Sequence, residues 1–412
     1  MVHKIALLRS VEVQQAHPYL ASIAASFKSS NVSAKLYYTD GDCSEDDFPG
    51  AIEKLAPDVT PEAIVDRLLS WGAEGVISLS IPDENTMRDA VVKTKLLKHG
   101  IPTITHPLPT AYLLSNKWET KQAIRRHGLA TPDGVLLDGD LLNRRNLPVP
   151  AYQDFVRSKC DEIGFPLLTK PLWDCLGNGI RYLTDSTAVE AYLNSPYNGN
   201  VVLEQCVIGQ LCSVEIVGRD GNYIIQPLIW KGLTAPELSF PFTQVRHTAR
   251  IPAAEHDFVP VSDELRTFCI ELNIEGVVEV EMIYANNLFY IIEINPRVSG
   301  STTLSIAASH FNTFDALAHM ALGKWPEFAS TFRGNNSFAL QFPYLQSRNA
   351  SKSNKVKIVR QSDFHINNQK YANAVVVCAP EYLSDLGAWI DDYFLLDERT
   401  AKVIEGVISG QT

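Results

Sequence analysis

Apolar positions over the first 110 residues fall in short runs separated by longer amphipathic stretches. His3 to Leu8, Ser33 to Tyr38, Gly75 to Leu79 and Ile101 to Thr105 read as strands. Pro18 to Lys28, Pro61 to Trp71 and Asp83 to His99 read as helices. Pro61 suits a first helical turn, where its missing N–H costs nothing, and Gly100 suits a helix end. Alternation of this kind predicts a doubly wound parallel sheet. The first strand-to-helix loop, RSVEVQQAHP, holds no glycine, so a dinucleotide fingerprint is absent.

Further on, the pattern becomes α+β. Ser115 is the expected cap of a helix Asn116 to Arg126 that carries Lys117 and Lys121 one turn apart; on pattern alone the pair reads as a solvated basic face. Residues 131–150, rich in Pro, Gly, Asp and Asn, read as a linker. A helix from Tyr152 to Ile163 precedes a strand Leu167 to Lys170, two glycines at 177 and 179, and a strand Ile180 to Leu183. Val201 to Glu204, Leu211 to Val217 and Tyr223 to Trp230 are further predicted strands, and Ser262 to Asn273 a helix. Thr302 to Leu322 reads as one helix, residues 346–357 as a loop, and the tail as strands near 356–359 and 374–377 with a helix near 381–389.

The stretch Gly276 to Ser301 carries the chemistry. Val277 to Tyr284 and Leu288 to Ile294 read as strands joined at Ala285-Asn286-Asn287, since Asn accepts the positive φ of a tight hairpin turn. Glu279 and Glu281 interrupt the first strand; Glu293, Asn295 and Arg297 end the second. An acid between Ile292 and Ile294 needs a partner if it is buried. Glu281, Glu293 and the Asn295 amide are oxygen donors, which suits a hard ion such as Mg²⁺ that also holds phosphates. Glu293 and Asn295 share one strand face.

Composition narrows the classes. A chain of 412 residues has room for several domains, and 45% hydrophobic with 20% charged residues is ordinary for a globular protein. A net charge of −11 argues against a nucleic-acid partner. No apolar run has the length of a membrane span, and the start shows no signal-peptide core, which leads us to expect no membrane association and a cytoplasmic location. Seven dispersed cysteines without a C-x-x-C pair read as reduced thiols; Cys206 and Cys212 read as buried small hydrophobes.

Lys117, Lys170, Glu204, Glu281, Glu293, Asn295 and Arg297, with the string EINPRVSGS at 293–301, resemble the ATP-grasp superfamily, nearest its carbamoyl-phosphate-synthetase-like and amino-acid-ligase branches. The resemblance covers about Lys4 to Gly323. It implies an N-terminal α/β domain over 1–114, connecting helices and linker over 115–165, a small lid subdomain over 166–230, and a large subdomain with a C-terminal extension over 231–412. It implies that Lys117 and Lys170 touch ATP phosphates, that Glu204, Gln205, Cys206 and Val207 form the hinge beside adenine, and that Glu281, Glu293 and Asn295 hold two Mg²⁺, with Mn²⁺ an accepted substitute. Arg297, with Lys170, would act in catalysis. Arg246, His247, Ser299 and Gly300 are the candidate substrate contacts. Many family members have a ribose-binding carboxylate where this chain has Leu211. The glycine-poor loop after Lys170 leaves Trp173 or Asn178 to help close over ATP.

The function so implied is an ATP-dependent carboxylate–amine ligase that forms an amide or peptide bond through an acylphosphate. Its expected substrates are an amino acid or short peptide and an amine; a carrier-protein-bound acceptor fits the same chemistry, and a homodimer is expected. The alternatives are a bicarbonate-activating carboxylase or carbamoyl-phosphate-type enzyme, and a non-catalytic ATP-binding regulatory module.

Overall fold

A computed structural model describes residues 3–10, 22–41, 43, 48, 50–143, 149–173, 177, 179–234, 243–334, 337–348, 353–366 and 369–410. Most of the first strand-to-helix loop, most of the acidic loop at 42–47, Asp174, Asn178 and residues 235–242 lie outside the described residues.

The N-terminal sheet is parallel and five-stranded. Lys4–Arg9 is central, with Ser33–Tyr38 and then Ala51–Lys54 on one side, and Gly75–Ser78 and then Thr103–Ile104 on the other. This is the doubly wound order expected, with one strand, Ala51–Lys54, that the pattern did not reveal. Its only apolar side chains are Ala51 and Ile52. Helix Pro61–Trp71 starts at a Thr60 cap with Pro at its first position and ends at Gly72 in the left-handed region.

Two antiparallel sheets follow. The smaller one orders Gly134–Leu137, Val201–Gln205, Leu167–Pro171 and Arg181–Leu183, and buries Val156, Cys160, Val189 and Leu193 from two covering helices. The segment that read as a linker therefore supplies an edge strand of this sheet. Gly134 is required there, because a Cβ would come within 2.6 Å of the Leu203 carbonyl oxygen.

The larger sheet has nine strands. Its order is Leu288–Asn295, Gly276–Ala285, Gln210–Arg219, Ile229–Leu233, Arg246–His247, Phe338–Pro343, Gln369–Cys378 and Val356–Ile366, with Asn222–Ile225 added beside Gln210–Arg219. The single strand expected over 223–230 is thus two strands, both paired to Gln210–Arg219. The tail strands are longer than read and form a hairpin that completes the sheet. One face packs Met282, Val280, Phe289, Ile291 and Phe342 into the main core, against Phe268 of helix Pro252–Glu271.

The expected helix over 302–322 is two helices, Thr302–Ser309 and Thr313–Ala321. His310 breaks it with φ 59°, and the Asn312 side chain caps the second by accepting from the Phe314 N–H. Among the described residues no helix is long and apolar enough to cross a membrane.

Candidate functional site

The hairpin Gly276–Ala285 and Leu288–Asn295 turns at Asn286 and Asn287, both at positive φ (51° and 61°). Its register pairs Glu281 with Glu293 and Glu279 with Asn295, so four polar side chains share one sheet face. Register across the sheet extends that face. Ser213 pairs with Glu281 and Glu215 with Glu279; Ile229 pairs with Ser213, which aligns Lys231; Arg246 pairs with Gln341, Gln341 with Val375, and Val375 with Arg360. One face of the sheet is apolar core; the other carries this polar row.

Within the row the acids are matched by bases. Lys231 Nζ lies 2.9 Å from Glu279 Oε1 and 2.6 Å from Glu281 Oε1. Burial would raise the Glu279 carboxyl, but Lys231 and Arg246 outweigh it and hold it well below the usual range. Arg246 is buried and its Nη1 donates to Ser301 Oγ at 3.4 Å. Gly300 lies against that guanidinium, since a Cβ there would stand 3.4 Å from Nη1. His247 is paired with Trp230 and so points to the opposite face from Arg246. It is partly buried, its Nδ1 accepts from the Ala249 N–H at 3.3 Å, and burial lowers its imidazole to about 4. Of the candidate substrate contacts, Arg246, Gly300 and the Ser299 turn come together with the acids; His247 does not.

Helix Lys117–Arg126 brings the lysines. Asn116, not Ser115, is its cap: the Asn116 side chain accepts from the Trp118 and Glu119 N–H groups at 3.0 and 3.2 Å, while Ser115 closes the preceding helix Leu108–Ser115. Lys117 Nζ sits 2.9 Å from Glu293 Oε1. Lys121 is buried rather than solvated: its Nζ lies 2.9 Å from Glu204 Oε2 and donates to Thr131 Oγ1 and the Pro132 carbonyl. Lys170 Nζ lies 2.5 Å from Glu204 Oε1. Burial raises the Glu204 carboxyl, yet Lys170 and Lys121 outweigh it and the net shift is downward. Burial in turn lowers the Lys121 ammonium despite Glu204.

At the hinge, the Gln205 N–H donates to Asp133 O and the Cys206 N–H to Pro166 O, while the Val207 carbonyl accepts from Thr234 Oγ1. Glu204 therefore enters through its side chain as the clamp of two lysines, and Gln205 and Cys206 spend their amides within the protein. Leu211 pairs with Ile283 and brings no carboxylate.

Arg297 leaves the hairpin end and reaches the start of helix Asp83–Leu96, which follows strand Gly75–Ser78 of the N-terminal sheet. Its Nε lies 2.6 Å from Asp83 Oδ1 and its Nη2 3.2 Å from Asn295 Oδ1. Asp83 is a site member that the sequence reading did not single out; Glu279 interrupts its strand there but receives no role, and Lys231 carries only a weak signal beside His247. Lys231 had a signal, because it sits two residues from inward-facing Ile229; Asp83, 214 residues from Arg297, had none.

The site's fit to a divalent ion can be judged from these donors. Glu281 and Glu293 are cross-strand partners, Asn295 adds an amide oxygen, and Glu293 is held ionised: burial opposes this, but Lys117, Lys170 and Arg297 prevail. Lysine ammonium groups stand on both carboxylates, which marks them as cation acceptors. Among the described residues no three His, Cys, Asp or Glu side chains converge as a ligand set. Two carboxylates and an amide suit Mg²⁺, which keeps water and phosphate in its shell.

Residues 114–301 match the family model described as ATP-grasp domain. Over that stretch the chain is similar to ATP-grasp domains, and its fold is that of ATP-grasp proteins. Among curated proteins it is similar to the carbamoyl-phosphate synthase of Methanobrevibacter smithii, 22% identical over 327 residues, covering 79% of this chain and 84% of that protein. It is also similar to the carbamoyl phosphate synthase large chain of Corynebacterium glutamicum, 25% identical over 203 residues, 45% of this chain but only 17% of that one. Among solved structures, the L-amino acid ligase from Bacillus licheniformis superposes with a TM-score of 0.68 at 17% identity, covering 96% of this chain and 99% of that one. The biotin carboxylase domain of 2-oxoglutarate carboxylase from Hydrogenobacter thermophilus, solved with MgADP and bicarbonate, gives 0.70 at 14%, covering 95% and 90%. At these identities the superpositions establish fold alone.

Proposed function

We propose that this protein is an ATP-dependent carboxylate–amine ligase that activates an acid as an acylphosphate and joins it to an amine, releasing ADP and phosphate. The observation that carries the reading is the polar row: Glu281 and Glu293 paired across strands, with Asn295, Arg297 and Lys117 at their edge. The ATP-grasp match supports the nucleotide, and the likeness to an amino acid ligase supports an amino acid or short peptide as substrate.

In this reading Lys117 and Lys170 take nucleotide phosphate oxygens, and Lys121 keeps Glu204 ionised to orient Lys170. Glu281, Glu293 and Asn295 would hold Mg²⁺. Bound there, the ion neutralises phosphate charge and orients the γ-phosphoryl group. An oxygen of the substrate carboxylate attacks the γ-phosphorus, a P–O bond forms, and the bond to the β-phosphate oxygen breaks. Arg297, oriented by Asp83, faces the developing negative charge. The amine nitrogen then attacks the acyl carbon, the C–O bond to phosphate breaks, and the amine proton leaves to solvent. The small sheet, with its strands Leu167–Pro171 and Arg181–Leu183, excludes water from the acylphosphate. A homodimer and a carrier-protein-bound acceptor are part of the same proposal.

ADP release with Mg·ATP and hydroxylamine, across amino acids, dipeptides and bicarbonate, tests it. Hydroxamate and ADP with one acid are the expected result, lost in a folded Glu293→Ala protein; unchanged turnover in that variant refutes the assignment. The similarity to carbamoyl-phosphate synthases favours one second reading, bicarbonate as the activated acid. ADP release with bicarbonate alone would select it.

A further inference from the structure

At its far end the polar row holds a cation with no acid. Arg360 sits on Val356–Ile366, the strand at the opposite edge of the sheet from the one that carries Glu293. It is partly buried. Its Nη1 donates to Thr303 Oγ1 at 3.3 Å, and its Nε is buried with no hydrogen-bond partner. Among the described residues no carboxylate pairs with it. The charged group it senses is another cation, Arg246, and burial together with that neighbour lowers the guanidinium to about 10. A partly buried charge in this position lacks the counter-ion that such charges normally have.

The two guanidinium groups converge. Arg246 is tied to Ser301 and Arg360 to Thr303, two positions apart at the start of helix Thr302–Ser309. That helix end adds partial positive charge on the same side. The loop that leads into it, 295–301, is the one that begins with Asn295 and Arg297. Arg246 already has acids: Glu279 and Glu281, shared with Lys231. Three cations therefore meet two carboxylates, and the unmatched charge is Arg360's.

We propose that Arg360, together with Arg246, forms a carboxylate-binding subsite that holds the free carboxylate of an amino-acid acceptor while its amine attacks the acylphosphate. The proposal rests on the ligase reading. The reacting carboxylate belongs beside Glu281, Glu293 and Arg297. Arg246 links the two places: it lies beside Glu279 and Glu281 and bonds Ser301, two residues from Thr303, the partner of Arg360. The acids there serve the reacting carboxylate, so the group left for the arginine pair is a second carboxylate, the acceptor's own. Paired, planar guanidinium donors are the side chains suited to such a group.

Two measurements on the whole protein test the subsite apart from the ligase reading. Thermal shifts are recorded with each proteinogenic L-amino acid and with its carboxamide, for the wild type, Arg360→Gln and Arg360→Lys. The subsite requires at least one amino acid to stabilise the wild type, its carboxamide to bind about tenfold more weakly or worse, and Arg360→Gln to lose that distinction while Arg360→Lys keeps part of it. With an acid identified by hydroxylamine trapping, Arg360→Gln then raises the KM for the acceptor about tenfold or more. No shift with any amino acid, equal binding of acid and amide by the wild type, or an Arg360→Gln protein that binds as the wild type does, each overturns the subsite. Hydroxamate formation by the wild type in those cases leaves the ligase reading standing; its absence with every acid removes the ligase reading instead.

Discussion

Replacing Lys231 by Met tests the electrostatic logic of the site most directly. The Lys231 ammonium is buried between Glu279 and Glu281, at 2.9 and 2.6 Å. Methionine keeps most of the volume and removes the charge, so two carboxylates on one strand face lose their shared cation. Removing one partner of a buried pair costs about 3–5 kcal/mol. Arg246 remains beside both acids and offsets part of that, so the low end, about 3 kcal/mol, is expected. In a protein of this size that corresponds to a fall in Tm of roughly 3–4 °C. Because Glu281 is released, millimolar Mg²⁺ is expected to raise the Tm of Lys231→Met more than that of the wild type. Adding Glu281→Gln removes one orphaned charge, so the double variant is expected to lose less than the sum of the single losses. Differential scanning fluorimetry with and without Mg²⁺ reads all three. A Lys231→Met protein that melts within a degree of the wild type, with the same Mg²⁺ response, would refute the reasoning.

The other expectations concern neighbouring groups. Glu204→Gln leaves Lys121 and Lys170 without their shared carboxylate and is expected to cost about 3 kcal/mol by urea unfolding, with ATP restoring more stability than it adds to the wild type. Glu215 is buried, accepts from the Thr302 and Thr313 hydroxyls, and burial raises its carboxyl to about 7. A raised folded value means that the proton's stabilisation is complete below about pH 4 and is lost as the pH climbs to about 7, at most about 3 kcal/mol. Thermal melts between pH 4 and 8 should therefore decline in the wild type more than in Glu215→Gln, and parallel curves would contradict the assignment. Asn116→Ala removes the cap that starts the lysine-bearing helix; a loss of about 1 kcal/mol by denaturant titration is expected, with a weaker ATP response.

Where local signals were strong, the chain could be read directly. The Asn286-Asn287 turn and the flanking alternation located the central hairpin, and the pairing of Glu281 with Glu293 follows from its register. The parallel N-terminal sheet was visible in strand–helix alternation. Signals failed where tertiary context overrode composition. Gly134–Leu137 is a strand because an edge beside Val201–Gln205 was open to it, in spite of its Pro- and Gly-rich surroundings. The break at His310 needed a non-glycine residue in the left-handed region, which no periodicity reveals. Lys121 read as solvated because its burial depends on Glu204, which lies in a different sheet element. Arg360 and Asp83 were invisible for the same reason: each joins the site through strands or helices far away in sequence.

Asp83 also bears on what counts as a working unit. The segment that matches the family begins at residue 114. Yet the acid that orients Arg297 lies upstream of it, at the start of helix Asp83–Leu96. Lys93 of that same helix pairs with Glu275, and His106 bonds the Val277 carbonyl at 3.0 Å. The recognisable module is therefore smaller than the functional one. A fragment cut at the module's border, or a chimaera that grafts residues 114–412 onto a foreign leader, would inherit every metal and phosphate contact proposed above and still leave Arg297 without its tether. Boundaries for recombination in this protein are better drawn before Lys4 than at the edge of similarity.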